Sequence, residues 1–131
     1  MLIGFRGIAM GWDKDAAVDY LVKHAGVNSL SECATFTRRA IAAGGISLIR
    51  TRLAKNYGDS LLKAGFVAIP QSAVPEKGDV AIIQPYEGGN GIGHMTMFDG
   101  KTWYSDFKQR DMYPGPKYRQ FRPPYVIYRK K

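Results

Sequence analysis

Gly93-His-Met-Thr-Met-Phe-Asp-Gly-Lys-Thr-Trp-Tyr-Ser-Asp-Phe107 is two runs of strand-forming residues joined by Asp99-Gly100, the short-range pattern of a β-hairpin. It decides the fold class because short strand-forming runs lie on either side of it. Phe66-Val-Ala-Ile69, Asp79-Val-Ala-Ile-Ile-Gln84 and Tyr125-Val-Ile-Tyr-Arg129 also read as strands separated by turn residues. Asp111 to Pro124 holds four prolines and is expected to be an ordered surface loop.

Toward the N-terminus the period changes to that of a helix. Asp13 is placed as N-cap, Ala16, Ala17, Tyr20, Leu21 and His24 recur at three- and four-residue spacing, and Gly26 stops the helix. In Ser29-Leu-Ser-Glu-Cys-Ala-Thr-Phe-Thr-Arg-Arg-Ala-Ile-Ala-Ala-Gly-Gly45, Ser29 and Glu32 fit a capping box and Gly44-Gly45 ends a second helix. A poorer helical stretch runs from Thr51 to Ala64, interrupted at Gly58. Helices first and strands second predicts an α+β domain, with N-terminal helices packed on a mostly antiparallel sheet.

The chain of 131 residues is enough for one domain, residues 1–131, and its 45% hydrophobic content excludes a disordered tail. Nineteen Lys and Arg against eleven Asp and Glu give a net charge of +8, so polyanions attract it: nucleic acid, an anionic membrane surface and cell-wall polymer all remain open. No apolar run approaches the ~20 residues of a membrane span. The opening Met1-Leu-Ile-Gly-Phe-Arg6 lacks a positive n-region, so any export is expected to proceed without a signal peptide.

A single cysteine makes no internal disulfide, which leaves Cys33 as packing, as a reactive thiol or as an intermolecular partner. It falls in the first turn of the second helix, where unpaired N–H groups and the helix dipole favour a thiolate. Cys33, Phe36, Thr37, Ala40 and Ile41 form one stripe, so the thiol points where the helix packs. His24, in the last turn of the first helix, reads as a surface or capping residue. His94 follows a glycine-rich stretch that lets another backbone or a substrate come close.

The hairpin loop decides which side chains accompany His94. A two-residue loop sets His94 opposite Ser105 and turns Asp106 away. A three-residue loop, Phe98-Asp99-Gly100 with a glycine bulge, pairs Met97 with Lys101 and His94 with Tyr104, brings Asp106 to the His94 face and gathers Met95, Met97, Trp103 and Phe107 on the other. The coherent apolar face favours the second. Cys33, His94 and Asp106 would then support nucleophilic acyl transfer, with His94 as base, Asp106 holding its tautomer and the Cys33 backbone N–H as oxyanion donor. Tyr86, Trp103 and Tyr104 are the candidate substrate-groove residues beside His94, although the same register also fits Trp103 in the core. One cysteine and two histidines lack the spacing of a closed zinc site, and phosphate-binding or dinucleotide fingerprints are absent, so no cofactor is expected.

Ser31-Glu-Cys-Ala-Thr-Phe-Thr-Arg-Arg-Ala-Ile41, Pro75-Glu-Lys-Gly-Asp-Val-Ala-Ile82, Gly93-His-Met-Thr-Met-Phe-Asp-Gly100 and Trp103-Tyr-Ser-Asp-Phe107 resemble, in order and spacing, the blocks of the NlpC-type and CHAP-type papain-like cysteine amidases. The resemblance implies a rearranged papain-like fold and hydrolysis of amide bonds in peptidoglycan stem peptides or cross-links. It carries over Cys33 as nucleophile, His94 as base and Asp106 as the orienting residue, and makes Asp79 structural. The size and the absence of a wall-binding module look most like the amidase effectors of type VI secretion, and less like phage endolysins. That implies a cognate immunity protein and action in the periplasm of a recipient cell; a monomer is expected.

A competing reading from another class is a non-enzymatic binding domain for nucleic acid or polymer. Arg119, Arg122, Arg129, Lys130 and Lys131 interleave with Tyr118, Phe121, Tyr125 and Tyr128, as basic and stacking residues do on such surfaces. The alternation in Tyr125 to Arg129 fits a terminal strand with a solvated basic tail instead, and no RNA-binding motif accompanies the charge, so nucleic acid is not expected as the partner.

Overall fold

The computed structural model describes residues 11–27 and 31–131; Met1 to Met10 and Ser29 of the expected capping box lie outside these. Helices α1 (Lys14–His24) and α2 (Cys33–Ala43) come first. A 3-10 turn (Ala54–Asn56) leads into α3 (Tyr57–Lys63), and the strands follow: β1 (Val67–Ile69), β2 (Val80–Ile83), β3 (His94–Phe98), β4 (Trp103–Tyr104) and β5 (Tyr125–Arg129). They form one sheet in the order β1-β5-β2-β3-β4, every pairing antiparallel. The expected α+β class and strand direction are both present.

Asp13 caps α1, its Oδ1 accepting the Ala16 N–H at 2.9 Å, and the helix buries Ala17, Val18 and Leu21. Buried Thr37, Ala40 and Ile41 of α2 pack with Leu61, Phe66, Val80, Ile82, Met95 and Met97 in one core. Ala81, Ile83, Trp103, Tyr113 and Ile127 make a second core on the other face of the sheet. The uninterrupted apolar run of β2 follows from this, since a central strand covered on both faces has no solvent side to make polar.

The cover of that second face corrects one expectation. Asp111 to Pro124 is not loop throughout: α4 (Pro116–Phe121) lies within it, with Pro116 in its first turn and Arg122 in the left-handed region (φ 47°) at its end. Proline is tolerated at a helix start because that N–H has no intrahelical partner anyway. Gly58 likewise does not break the third helix but lies inside α3, where a Cβ would come within 2.5 Å of the Tyr128 hydroxyl, so glycine is needed for close packing against β5.

The hairpin takes neither expected register. Met97 pairs with Tyr104 and Phe98 with Trp103, across a loop of Asp99 to Thr102. Asp99 Oδ1 accepts the N–H groups of Lys101 and Thr102, each at 2.7 Å, and this side-chain turn lengthens the loop by one residue over the glycine bulge. Trp103 therefore joins Phe98 on the second face, ring centroids 5.0 Å apart, while Tyr104 shares the first core with Met95 and Met97. Beyond Tyr104 the chain reverses: Ser105 N–H donates to Phe107 O, and Gln109 N–H to Trp103 O.

Candidate active site

Cys33 is the first residue of α2, and Glu32 takes the N-cap position without a side-chain cap bond. The Glu32 N–H donates instead to Asp106 Oδ2 at 3.0 Å, so a residue of the reversal after β4 closes the helix start that carries the cysteine. Gly26 helps to place it: Gly26 N–H donates to Asp106 O and Lys108 N–H to Gly26 O. Asp106 is fully buried and also accepts from the Ser105 hydroxyl at 3.1 Å.

His94 opens β3 and is 7% exposed. Gly93 precedes it at φ +78°, where a Cβ would stand 2.6 Å from Ile83 O and 2.8 Å from Lys55 Cβ, so the glycine permits the close backbone approach that its sequence suggested. Cys33 and His94 line one cleft of about 220 Å³, with Ser31, Asn90, Ile92, Gly93, Phe107, Pro114, Gly115 and Tyr118. The structure thus brings together the cysteine and histidine that the sequence singled out.

The partner of the ring is Gln109, a residue the sequence reading missed. His94 Nε2 lies 2.7 Å from Gln109 Oε1, while Gln109 Nε2 donates to the carbonyls of Asp111 (2.9 Å) and Met112 (3.0 Å). Two carbonyl acceptors fix which end of the amide is nitrogen, so Oε1 faces the ring and Nε2 of neutral His94 carries the proton. Nδ1 is left with the lone pair. Only the reversal after Tyr104 brings Gln109 here, and no short motif announces such a reversal.

Of the other expected groove residues, Trp103 and Tyr104 are buried in the two cores and do not line the cleft, because the observed register turns them inward. Tyr86 reaches it indirectly, packing edge-on against Tyr118, which does line it, at 4.9 Å. Exposed His24 stacks on Tyr20 and donates from Nδ1 to Tyr20 O at 2.7 Å, the surface role expected of it. Asp79 is buried under the Arg129 guanidinium, which donates to both carboxylate oxygens at 2.9 and 2.8 Å.

Burial pushes the Cys33 thiol up to about 11, the nearby charge of Asp106 adds to this, and the Met95 and Ala34 backbones pull the other way. The helix-start effect is outweighed by desolvation. Burial also holds His94 below the ordinary histidine range, opposed by its bond to Gln109 and the charge of Asp106. The resting pair is therefore a thiol beside a neutral imidazole. Among the described residues, no three of His, Cys, Asp and Glu converge as a metal site would require.

No protein-family model and no curated protein matches the chain. Solved structures do, among them two forms of one complex. The native type VI effector–immunity complex Tae3–Tai3 from Ralstonia pickettii contains a chain 47% identical, superposing with a TM-score of 0.87 over 92% of this chain and 100% of that one. A selenomethionine form of the complex gives 49% identity and a TM-score of 0.82 over 87% and 99%. At that identity and coverage, the chain belongs to the Tae3 family of type VI effectors.

Proposed function

We propose that this effector is a papain-like cysteine amidase of peptidoglycan, cutting amide bonds of stem peptides or cross-links. The observation that carries the reading is the cleft that joins Cys33 to a histidine whose far nitrogen is already bonded to a fixed amide. His94 Nδ1 takes the proton of the Cys33 thiol as the sulfur attacks the amide carbonyl; the Cys33 backbone N–H stabilises the oxyanion; the imidazolium then protonates the leaving amine. Water attacks the thioester in the second half-reaction and restores the thiol. Because the resting thiol is protonated, the proton moves during attack rather than beforehand.

In this reading Gln109 holds the tautomer and Asp106 acts through charge, favouring the imidazolium that forms. Action in the recipient periplasm and neutralisation by a cognate immunity protein complete the proposal; the structurally similar Tae3 is solved with its immunity protein Tai3. The test is digestion of purified cell wall followed by mass spectrometry of the fragments. New amino termini are expected with the native protein and none with Cys33→Ala; undiminished cleavage by that variant rules the mechanism out.

A further inference from the structure

Behind the first turn of α2 lies a second cavity, of about 410 Å³, that the mechanism does not use. Arg38, Arg50 and Arg52 line it together with Thr35 and Tyr57, and no acidic side chain does. Among the described residues these arginines have no carboxylate within ion-pair distance, whereas Lys77 and Arg119 each have one and Arg129 has two. Tyr57 lines the cavity as well and can offer its hydroxyl there as a further donor. Three like charges with no counter-charge repel one another. An anion with several acceptor oxygens relieves that repulsion and can also accept from the Tyr57 hydroxyl.

Position narrows the class of anion. The cavity adjoins Ala34 and Thr35, the two residues after Cys33, and the Lys55 N–H donates to Ile92 O at 2.9 Å, tying the segment with Arg52 and Tyr57 to the wall of the cleft. A helix is about 10 Å across with its side chains. About one helix width therefore separates an anion seated here from the cleft.

We infer that the cavity is a carboxylate subsite, holding a free carboxylate of the same acidic peptide whose amide is presented to Cys33. This rests on the amidase reading and adds to it a charge requirement on the substrate. Arginine suits the task because its planar fork matches two carboxylate oxygens.

The test uses Cys33→Ala protein, which holds a substrate without cutting it, and fluorescence anisotropy with a labelled acidic stem peptide and the same peptide carrying carboxamides. The acid should bind about tenfold more tightly, the discrimination expected of charge-assisted hydrogen bonds. Arg50→Gln with Arg52→Gln should erase that preference, and Tyr57→Phe should reduce it. Equal affinity for acid and amide, or a preference that survives the double substitution, overturns the subsite. Inorganic phosphate that competes more tightly than the acidic peptide also overturns it, by assigning the cavity to phosphate polymers. Wall digestion with the otherwise native protein separates the two readings: acid-selective binding without cleavage sinks the amidase and leaves the subsite, while cleavage without acid selectivity does the reverse.

Discussion

Two buried polar clusters sit at opposite ends of β2. Beside Val80, the Arg129 fork meets both oxygens of Asp79, and Asp79 also accepts the Glu76 N–H at 2.8 Å. Beside Ile83, its cross-strand partner His94 is tied through Nε2 to Gln109, and the charge of Asp106 bears on both His94 and Cys33. The first cluster matches charge with charge and closes a strand end. In the second, a ring is fixed on one side and opens on its other side to a cleft. Burial alone therefore does not separate a structural carboxylate from one placed to act; what its charge falls on does.

The largest expected effect lies in the closed cluster. Arg129→Met leaves Asp79 buried without its guanidinium and should cost about 3–5 kcal/mol in urea unfolding. The rate of Cys33 alkylation at fixed pH should not change, and a change in that rate would show the two ends to be coupled.

Gln109→Leu makes the converse test. It frees the ring and should lower kcat by about 10²-fold or more, as loss of a positioned general base does. Its stability cost should be smaller than that of Arg129→Met, about 1–3 kcal/mol for the partners left unsatisfied. Wild-type kcat in this variant would remove Gln109 from the mechanism.

Asp106→Asn alters charge with little change of shape. Asp106 raises both Cys33 and His94, so its loss should move the inflection of thiol alkylation below about 11 and shift the acid limb of the rate profile to lower pH. Either shift in the opposite direction would show that the charge of Asp106 does not reach the pair.

Much of this contrast was legible in the sequence, unevenly. Asp13, the stripe on α2 and the continuous apolar run of β2 follow from local rules, and so did Cys33 at a helix start and His94 behind a flexible glycine. The hairpin register was not, because one Asp99 side chain sets the loop length and a single residue of slip exchanges the faces of Trp103 and Tyr104. Gln109 and α4 were hidden for a related reason: both lie after the reversal at Ser105 to Phe107, where tertiary pairing rather than periodicity directs the chain. The arginines lining the second cavity are scattered between α2 and residues 50–52, and only the fold assembles them.

The smallest effect separates the open cluster from the rest by acid. His94 is held neutral by burial below its ordinary range, near 6.5 when unfolded, so below that pH the unfolded chain binds a proton more readily than the folded one. Its contribution is complete above about pH 6.5 and falls away as pH drops, by at most about 1.4 kcal/mol for each pH unit. Unfolding measured at pH 7.5 and at pH 5.5 should show a larger loss for the native protein than for His94→Gln, because all other titrating groups are common to both. Asp106→Asn should steepen the loss, since it removes a charge that favours the imidazolium. Equal losses in native protein and His94→Gln would mean that the ring titrates as in the unfolded chain, and a smaller loss in the native protein would mean that the ring is charged while folded, where it cannot take the proton of Cys33.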